Sequence, residues 1–422
     1  MKKFFIWNFA LLVILSWILP AFSWAEGQVK IGALYPMTGP SAQVGLDNKN
    51  AIEVALEIIN SGKYGHLNLP LSKNAGLPNL KGAKVTVVIV DHQGKPDLGL
   101  SEAERLITQE KVAALFGAFH SQVTETASMV AERMKVPFFC DISSSPQLTR
   151  RGFKWFFRSS PHDEIFAGSL FRCLSGLEKK RGIKFKTVGV MYEDTLYGKD
   201  SSRIEKDLAA KAGYKVVADI PYRRAATSVS TEILRLKSAN PDVFLPTSYA
   251  SDAILIVKAM KELNYNPPAF FAQDAGYIDP SFVEGLGRDI DGICSHESFS
   301  LDLAAHKPMV REINDLFKKR SGRDLNGASA RCLMGFLILC DAINRAGSTN
   351  PEAIREALVK TNLPADQLIT PWRGVKFDET GQNVLVENIV IQFQGGSPHM
   401  VWPFEQASKE IIYPFPKWSE KK

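Results

Sequence analysis

Small hydroxyl residues follow two strands of a predicted parallel sheet, and together they could bind a carboxylate. Ser121 comes after the apolar run 115–119, and Ser143 and Ser144 come after the next run, 138–140. In open α/β sheets, ligands bind outside the carboxyl ends of the strands, where helix amino ends offer free N–H groups to anions. Taken singly, Ser121 is more often an N-cap and a serine run is more often a loop. At successive strand ends they form a candidate carboxylate cradle.

Two tyrosines and an acid occupy corresponding positions in the second half of the chain. Tyr197, Tyr249 and Asp274 each follow a predicted strand of that half. An acid that faces a hydroxyl cradle would suit a zwitterionic ligand, whose ammonium would lie near the acid. The alternative interpretation of Asp274 is a helix cap or a turn residue.

The motifs of common catalytic and metal sites are absent from the sequence. It contains no G-x-S-x-G, H-E-x-x-H or G-x-x-x-x-G-K-[ST] motif, and residues 285–290 lack the third glycine of a dinucleotide fingerprint. His162, Asp163 and Glu164 are consecutive, so their side chains point in different directions, which favours a polar helix start over a metal site. We therefore expect a binding protein, not an enzyme, with no metal and no cofactor.

The elements that would position these residues follow an alternating pattern. Short β-rich runs alternate with amphipathic helical stretches, which predicts βα units around parallel sheets. The first set of predicted strands is 29–34, 85–90, 112–116 and 136–140, and the second set is 187–192, 216–221, 243–246 and 269–272. Two long helices at 308–319 and 328–346 have no strand between them, so we expect them to pack onto an existing lobe. A turn at 377–381 and a strand at 384–393 follow. The predicted fold class is α/β, with two doubly wound parallel-sheet lobes.

Length and charge agree with this organisation. The 422 residues, with 45% hydrophobic and 23% charged, exceed one ordinary core and indicate two domains. The net charge is +6, and it falls to +4 without Lys2 and Lys3 of the predicted leader. Because no segment collects five like charges, we expect no nucleic-acid partner.

The amino end is typical of a secretory signal peptide. Lys2 and Lys3 precede the apolar run 4–19, and Ser23 and Ala25 place small residues at the −3 and −1 positions of a cleavage site. The run is shorter than the roughly 20 residues that span a membrane, although an uncleaved anchor is the alternative. The sequence predicts cleavage after Ala25 and export.

Five cysteines are too few for a disulfide scaffold, and their odd number leaves at least one without a partner in the chain. Cys332 and Cys340 are eight residues apart, which places them on one helical face with Cα atoms about 12 Å apart. They cannot form a disulfide with each other.

Five segments resemble the periplasmic substrate-binding proteins of branched-chain amino acid ABC transporters, the leucine/isoleucine/valine-binding family. These segments follow the family's order over nearly the whole chain after the leader: 31–42, 117–121, 143–152, 192–198 and 374–381. The resemblance implies the type I periplasmic binding fold, in which two lobes are joined by three crossovers and close by hinge bending. The crossovers would lie near Ser159, Ser298 and Asn388. The amino-terminal lobe would comprise 26–158 and 298–388, and the carboxy-terminal lobe 159–297 and 389–422.

The resemblance also implies roles for the candidate site residues. The implied carboxylate contacts are Ser121, Ser144 and the backbone of Ile142, beside Ser143 of the same loop. The implied contacts on the ammonium side are Tyr249 and Asp274, with Tyr197 as a cleft aromatic.

The implied function is that of a non-enzymatic, periplasmic solute-binding protein. It would capture a small carboxylate-bearing ligand, with an amino acid of the branched-chain type expected first, and deliver it as a monomer to the membrane subunits of an ABC permease. The alternatives are a ligand-sensing module for a membrane receptor, and a binder of amides or of aromatic or aliphatic acids.

The sequence departs from the family at positions that bear on the ligand. Asp274 is one methylene shorter than the family's glutamate, and Val44 replaces an aromatic residue of the side-chain pocket. His120 occupies one place of the family's cysteine pair, where we interpret it as a neutral loop residue. The insertion 61–82 predicts a long loop, and such loops are often functional.

Overall fold

A computed structural model of the chain describes residues 27–421. The predicted signal peptide and its cleavage site after Ala25 lie outside these described residues.

The first lobe is built on a five-stranded, entirely parallel sheet with the strand order β2-β1-β3-β4-β5. Its strands are β1 (Gln28–Tyr35), β2 (Lys84–Asp91), β3 (Ala114–Gly117), β4 (Phe138–Cys140) and β5 (Phe156–Arg158), and its helices are α1 (Ala42–Ser61), α2 (Pro96–Thr108) and α3 (Ser121–Met134). Side chains alternate along β1. Ile31 and Ala33 belong to the core cluster that contains α1, whereas Leu34 belongs to the cluster that contains α2 and α3. Both sheet faces are therefore covered by helices, which accounts for the continuously apolar strands.

The next elements form the second lobe. They are α4 (Asp163–Arg181), β6 (Thr187–Glu193), α5 (Leu196–Ala212), β7 (Lys215–Tyr222), α6 (Ser230–Ala239), β8 (Val243–Thr247), α7 (Ala250–Glu262), β9 (Ala269–Ala272), α8 (Pro280–Leu286) and β10 (Cys294–Glu297). The strands again alternate, because Phe244 packs in one core cluster while Val243 and Leu245 pack in the other. α4 begins at Asp163 with His162 at its N-cap, which confirms the prediction of a polar helix start.

The chain then returns to the first lobe, so the two long helices pack onto an existing lobe as the sequence predicts. The returning elements are α9 (Met309–Ser321), α10 (Gly327–Ala346), α11 (Pro351–Val359) and the antiparallel pair β11 (Asn362–Pro364) and β12 (Gly374–Lys376). α10 packs against α1, and Phe336 meets Phe116 of β3 with ring centroids 5.3 Å apart. Within residues 27–421, α10 is the one helix long and apolar enough to cross a membrane, and it is almost entirely buried in the protein.

A terminal hairpin completes the second sheet. β13 (Ile389–Gln394) lies antiparallel to β10, and β14 (Ser397–Trp402) lies antiparallel to β13. The sheet order is β14-β13-β10-β9-β8-β6-β7. Gly395 and Gly396 join the two strands with positive φ angles of 69° and 77°, the geometry of a tight two-residue hairpin turn.

The predicted strand 384–393 is wrong at its amino end, because β13 begins only at Ile389. The side-chain oxygen of Asn383 accepts hydrogen bonds from the backbone N–H groups of Lys376 and Leu385, both at 3.0 Å. These bonds hold residues 383–385 in a turn and prevent an extended conformation.

Residues 61–82 form a packed segment and not the structureless loop that the sequence predicts. Leu67, Leu69 and Leu77 are buried in the core of the first lobe. The backbone N–H of Asn79 donates to the side chain of Asn344 on α10 at 2.9 Å. The insertion therefore extends the core that covers α10.

All five cysteines lie in the described range, and each is buried and unpaired. The prediction that Cys332 and Cys340 do not bridge is confirmed, since both lie on α10. Burial raises the pKa of the Cys140 thiol to about 12, so this side chain stays protonated and packs as a small apolar group.

Candidate ligand-binding site

A cavity lies between the lobes, at the carboxyl ends of strands from both sheets. Six of the seven predicted site residues line it: Ser121, Ile142, Ser144, Tyr197, Tyr249 and Asp274. The other lining residues are Val44, Phe119, Ala275, Ile278, Asp279, Pro280, Asn326, Ala328 and Arg331. None of residues 61–82 is among them, so the insertion does not contribute to this site.

One side of the cavity, the serine wall, consists of Ser121, Ile142 and Ser144. Ser121 is the first residue of α3 and follows the N-cap His120, so the N-cap interpretation of Ser121 is not the one observed. Its hydroxyl accepts a hydrogen bond from the backbone N–H of Ser145 at 3.4 Å. Within the described chain, no side chain caps α3, which leaves the positive end of the helix available to an anion.

Ser143 does not line the cavity. Its buried hydroxyl donates to the carbonyl of Phe119 at 2.9 Å and lies 2.6 Å from the hydroxyl of Thr124. Consecutive loop residues point in different directions, so Ser144 faces the cavity while Ser143 faces the protein. The structure thus gives Ser143 a packing role in place of the predicted ligand contact.

The opposite side, the charged wall, consists of Tyr197, Asp274 and Arg331. Arg331 Nη2 donates to Asp274 Oδ2 at 3.0 Å, and Tyr197 Oη donates to Asp274 Oδ1 at 3.2 Å. The side chains of Asp274 and Arg331 are 6% and 1% exposed. Asp274 precedes a short 3₁₀ helix, but its side chain does not cap that helix, so the cap interpretation is also not observed.

Arg331 is the residue of this cavity that sequence reasoning misses. It lies in the first turns of α10, where its Nε donates to the carbonyl of Gly327 at 3.0 Å. Gly327 itself packs on Glu297, whose carboxylate accepts the Gly327 N–H at 3.0 Å and would overlap any Cβ placed there. The available signal was an arginine in the first half of the predicted helix 328–346, whose other charged residues, Asp341 and Arg345, lie near its end.

Tyr249 extends from the second lobe toward the serine wall. It is the N-cap residue of α7, and its ring lies 5.5 Å from that of Phe119 and 5.4 Å from that of Tyr197. Burial and the neighbouring Glu193 raise the pKa of the Tyr249 hydroxyl well above its usual value. The hydroxyl therefore stays protonated and can donate a hydrogen bond.

Three buried carboxyl groups near the cavity have raised pKa values, so they are protonated and neutral at acidic pH. Burial raises the pKa of Asp163 to about 7, with the hydroxyl of Ser144 acting in the opposite direction. Burial also raises the pKa values of Glu193 and Glu297 to about 7. Among residues 27–421, no group of three or more His, Cys, Asp or Glu could hold a metal ion.

The lobes contact each other on both sides of the cavity. Arg224 of the second lobe donates to the carbonyl of Gly94 at 3.3 Å and to His120 Nε2 at 3.2 Å. Burial, followed by the charge of Arg224, holds the pKa of His120 well below its usual value, so His120 is neutral. On another side, Arg323 donates to Glu284 at 2.9 Å. The cavity is therefore held in a closed arrangement of the lobes.

Two α/β lobes that enclose a cavity at the carboxyl ends of their strands define a solute-binding protein of the two-lobed class. A family model described as "Periplasmic binding protein" matches residues 28–390, and the chain belongs to this family, whose members bind ligands and are not enzymes. The fold is the type I periplasmic binding fold.

The relatives have names that point to different ligands. The chain is 29% identical over 399 residues to Leu/Ile/Val-binding protein homolog 7 of Brucella abortus (strain 2308), covering 92% of this chain and 95% of that protein. A leucine-binding protein from Thermotoga maritima is 24% identical, with a TM-score of 0.75 over 88% of this chain and 97% of that one. A solute-binding protein from Rhodopseudomonas palustris, in complex with 3,4-dihydroxybenzoic acid, is 19% identical, with a TM-score of 0.72 over 93% and 99%.

Proposed function

We propose that this protein captures a small carboxylate-bearing solute in the periplasm, in the cavity between its lobes, and delivers it to the membrane subunits of an ABC importer. The observation that carries the proposal is the serine wall. Ser121 and Ser144 both line one side of the cavity, beside the uncapped amino end of α3. Hydroxyl and N–H donors at a helix amino end are suited to a carboxylate.

An amino acid of the branched-chain type is the first candidate ligand. The name of the Brucella relative and the leucine-binding protein from Thermotoga support it. In this proposal Tyr249 and Asp274 would lie near the ammonium, and Tyr197 would contact the ligand as a cleft aromatic.

An acid without an amine is the second candidate. The Rhodopseudomonas protein in complex with 3,4-dihydroxybenzoic acid supports it. Asp274 also has hydrogen-bond partners on both carboxylate oxygens, which favours a ligand that does not need this acid.

Delivery would follow closure of a monomer about hinges near Ser159, Ser298 and Asn388. These hinges would divide the chain into two lobes. The amino-terminal lobe would comprise 26–158 and 298–388, and the carboxy-terminal lobe 159–297 and 389–422. The strands that flank these positions support this division: β5, β10 and β13 end or begin beside them. A ligand that binds the closed form better shifts the protein toward it. A sensing role would use the same closure, and capture by vesicles that contain the permease would distinguish import from sensing.

The test is thermal unfolding of the protein, refolded to remove carried ligand, with amino acids, amides and aromatic or aliphatic acids. A ligand at about 100 times its Kd adds about 2.7 kcal/mol to the free energy of unfolding. We expect at least one carboxylate to stabilise the protein, and we expect Ser121→Ala to weaken its binding about tenfold, as loss of one charge-assisted hydrogen bond would. Selective stabilisation by amides without a carboxylate would refute the carboxylate proposal.

A further inference from the structure

The ion pair between Asp274 and Arg331 joins the two lobes across the cavity. Asp274 follows β9 of the second lobe, whereas Arg331 lies on α10, which packs against α1 of the first lobe. The pair is 3.0 Å long, and both side chains are buried. The guanidinium and the carboxylate can therefore meet only when the lobes are together.

Within this pair, both carboxylate oxygens of Asp274 already accept a hydrogen bond from the protein. One oxygen accepts from Tyr197 and the other from Arg331, and the backbone N–H of Asp274 donates to His296 Nε2 at 3.1 Å. The positive charge of Arg331 already balances the carboxylate. An ammonium brought to the same acid would face a fixed cation in a buried site, and like charges there repel strongly.

Arg331 has an unused donor. Its Nε donates to Gly327 and its Nη2 to Asp274, but among residues 27–421 its buried Nη1 has no hydrogen-bond partner. The ring of Phe166 lies 5.5 Å from the guanidinium carbon and supplies no conventional acceptor. A buried donor without an acceptor costs free energy, and Arg331 is one of the residues that line the cavity.

We propose that Arg331 is a specificity-determining residue, which accepts amine-free carboxylates that carry a hydroxyl, keto or further carboxylate oxygen and rejects their amino counterparts. The ligand oxygen accepts a hydrogen bond from Nη1 while the serine wall holds the ligand carboxylate. This inference rests on the proposed function and names its substrate class. Because the ion pair spans the lobes, the selection takes effect at closure.

Matched ligand pairs test the inference on the unaltered protein. The pairs are alanine and lactate, leucine and 2-hydroxy-4-methylpentanoate, phenylalanine and phenyllactate, and 4-(aminomethyl)benzoate and 4-(hydroxymethyl)benzoate. Each pair exchanges an ammonium for a hydroxyl on one carbon skeleton, and calorimetry at pH 7 gives both Kd values. For at least one pair, we expect the Kd of the hydroxy acid to be at least about tenfold lower than the Kd of its amino partner. The inference is overturned if, in every pair whose members bind, the amino acid binds as well as or better than its hydroxy partner.

Replacement of the arginine tests the residue itself. Arg331→Met should weaken the hydroxy acid about 10-fold to 100-fold and strengthen the amino partner, because Asp274 becomes free to pair with the ammonium. Arg355→Met, which removes a partly exposed arginine of α11, is the control and should change neither Kd. Equal weakening of both ligands by Arg331→Met would indicate a structural role only and overturn the inference.

Two further measurements keep the outcome clear. If Arg331→Met does not fold, the double variant Arg331→Met with Asp274→Asn can replace it, because it leaves no unpaired charge. In this double variant, the ratio of the Kd of the amino acid to the Kd of its hydroxy partner should approach one. A ratio unchanged from the wild type overturns the inference. Ser121→Ala should weaken both members of a pair. If the amino acid binds more tightly than its hydroxy partner, and if Ser121→Ala abolishes this binding, the proposed function stands and the proposed role of Arg331 is wrong. If no member of any pair binds, the inference fails together with the proposed function.

Discussion

The serine wall and the charged wall line the same cavity but would bind a ligand through different interactions, neutral hydrogen-bond donors on one side and paired charges on the other. The serine wall presents neutral hydroxyls beside the positive end of α3, so it can bind a carboxylate without a buried counter-charge. The charged wall contains a full carboxylate and a full guanidinium that balance each other. Removal of one hydroxyl therefore changes a single hydrogen bond, whereas removal of one charge leaves its partner unpaired in the interior.

The largest expected effect comes from breaking the charged wall. Asp274→Ala leaves Arg331 buried without its partner, and we expect the free energy of unfolding to fall by about 3–5 kcal/mol. Chemical denaturation measures it. Asp207→Ala removes an exposed acid that lies 3.7 Å from Arg203, and it should cost at most about 1 kcal/mol. Similar small losses in both variants would mean that the buried pair does not stabilise the closed protein.

The second effect concerns the acid behind the serine wall. The pKa of Asp163 is raised by burial from 3.8 to about 7, so the folded protein keeps a proton that the unfolded chain loses near pH 4. The stability that Asp163 contributes to the wild type thus falls as the pH rises from about 4 to about 7. Asp163→Asn removes this loss. Its unfolding free energy relative to wild type should rise by about 2–4 kcal/mol across that window and stay constant above it.

Denaturation curves at several pH values measure this difference. Glu164→Gln, at the next position, replaces a partly exposed carboxylate that pairs with Arg150 and should show no rise of this kind. A difference between Asp163→Asn and wild type that does not change between pH 4 and 7 would show that Asp163 ionises normally in the folded protein.

A smaller effect separates two adjacent serines. Ser143→Ala removes a buried hydroxyl bonded to Phe119 and Thr124, so stability should fall by about 1–2 kcal/mol while ligand affinity stays the same. Ser144→Ala, on the cavity side, should weaken binding about tenfold with little loss of stability. Thermal unfolding without and with the ligand found in the panel measures both. Loss of binding in Ser143→Ala alone would reverse the assignment of the two positions.

The smallest effect lies at the contact between the lobes outside the cavity. Arg224 is partly exposed and donates to two neutral groups, the carbonyl of Gly94 and the ring of His120. Arg224→Ala should therefore make the free energy of lobe closure about 1 kcal/mol less favourable. We expect ligand to dissociate about 2-fold to 5-fold faster, measured by stopped flow. Arg223→Ala, at the exposed neighbouring position, is the control. An unchanged rate would show that this contact does not hold the lobes together.

Prediction from sequence succeeded where the signal was local. The first four strands of the first lobe have apolar runs, and each was placed within two residues of its observed start. β5 and β10 were missed, and β14 was missed although the Gly395 and Gly396 pair marks its turn.

The site itself was predictable in part for the same reason. Strand ends locate Ser121, Ser144, Tyr197, Tyr249 and Asp274, because residues that follow parallel strands gather at one edge of a sheet. Which of two adjacent serines faces the cavity was not predictable, since it depends on the loop conformation after β4.

The sequence by itself determined that the chain forms two parallel-sheet lobes and which strand ends carry polar groups, because hydrophobic period and turn residues act over a few positions. Only the tertiary structure decided that the acid of the site is paired with an arginine. Asp274 and Arg331 are 57 positions apart and meet because α10 returns to the first lobe and the lobes close on each other. A contact of this kind depends on the packing of distant elements, and no local pattern encodes it.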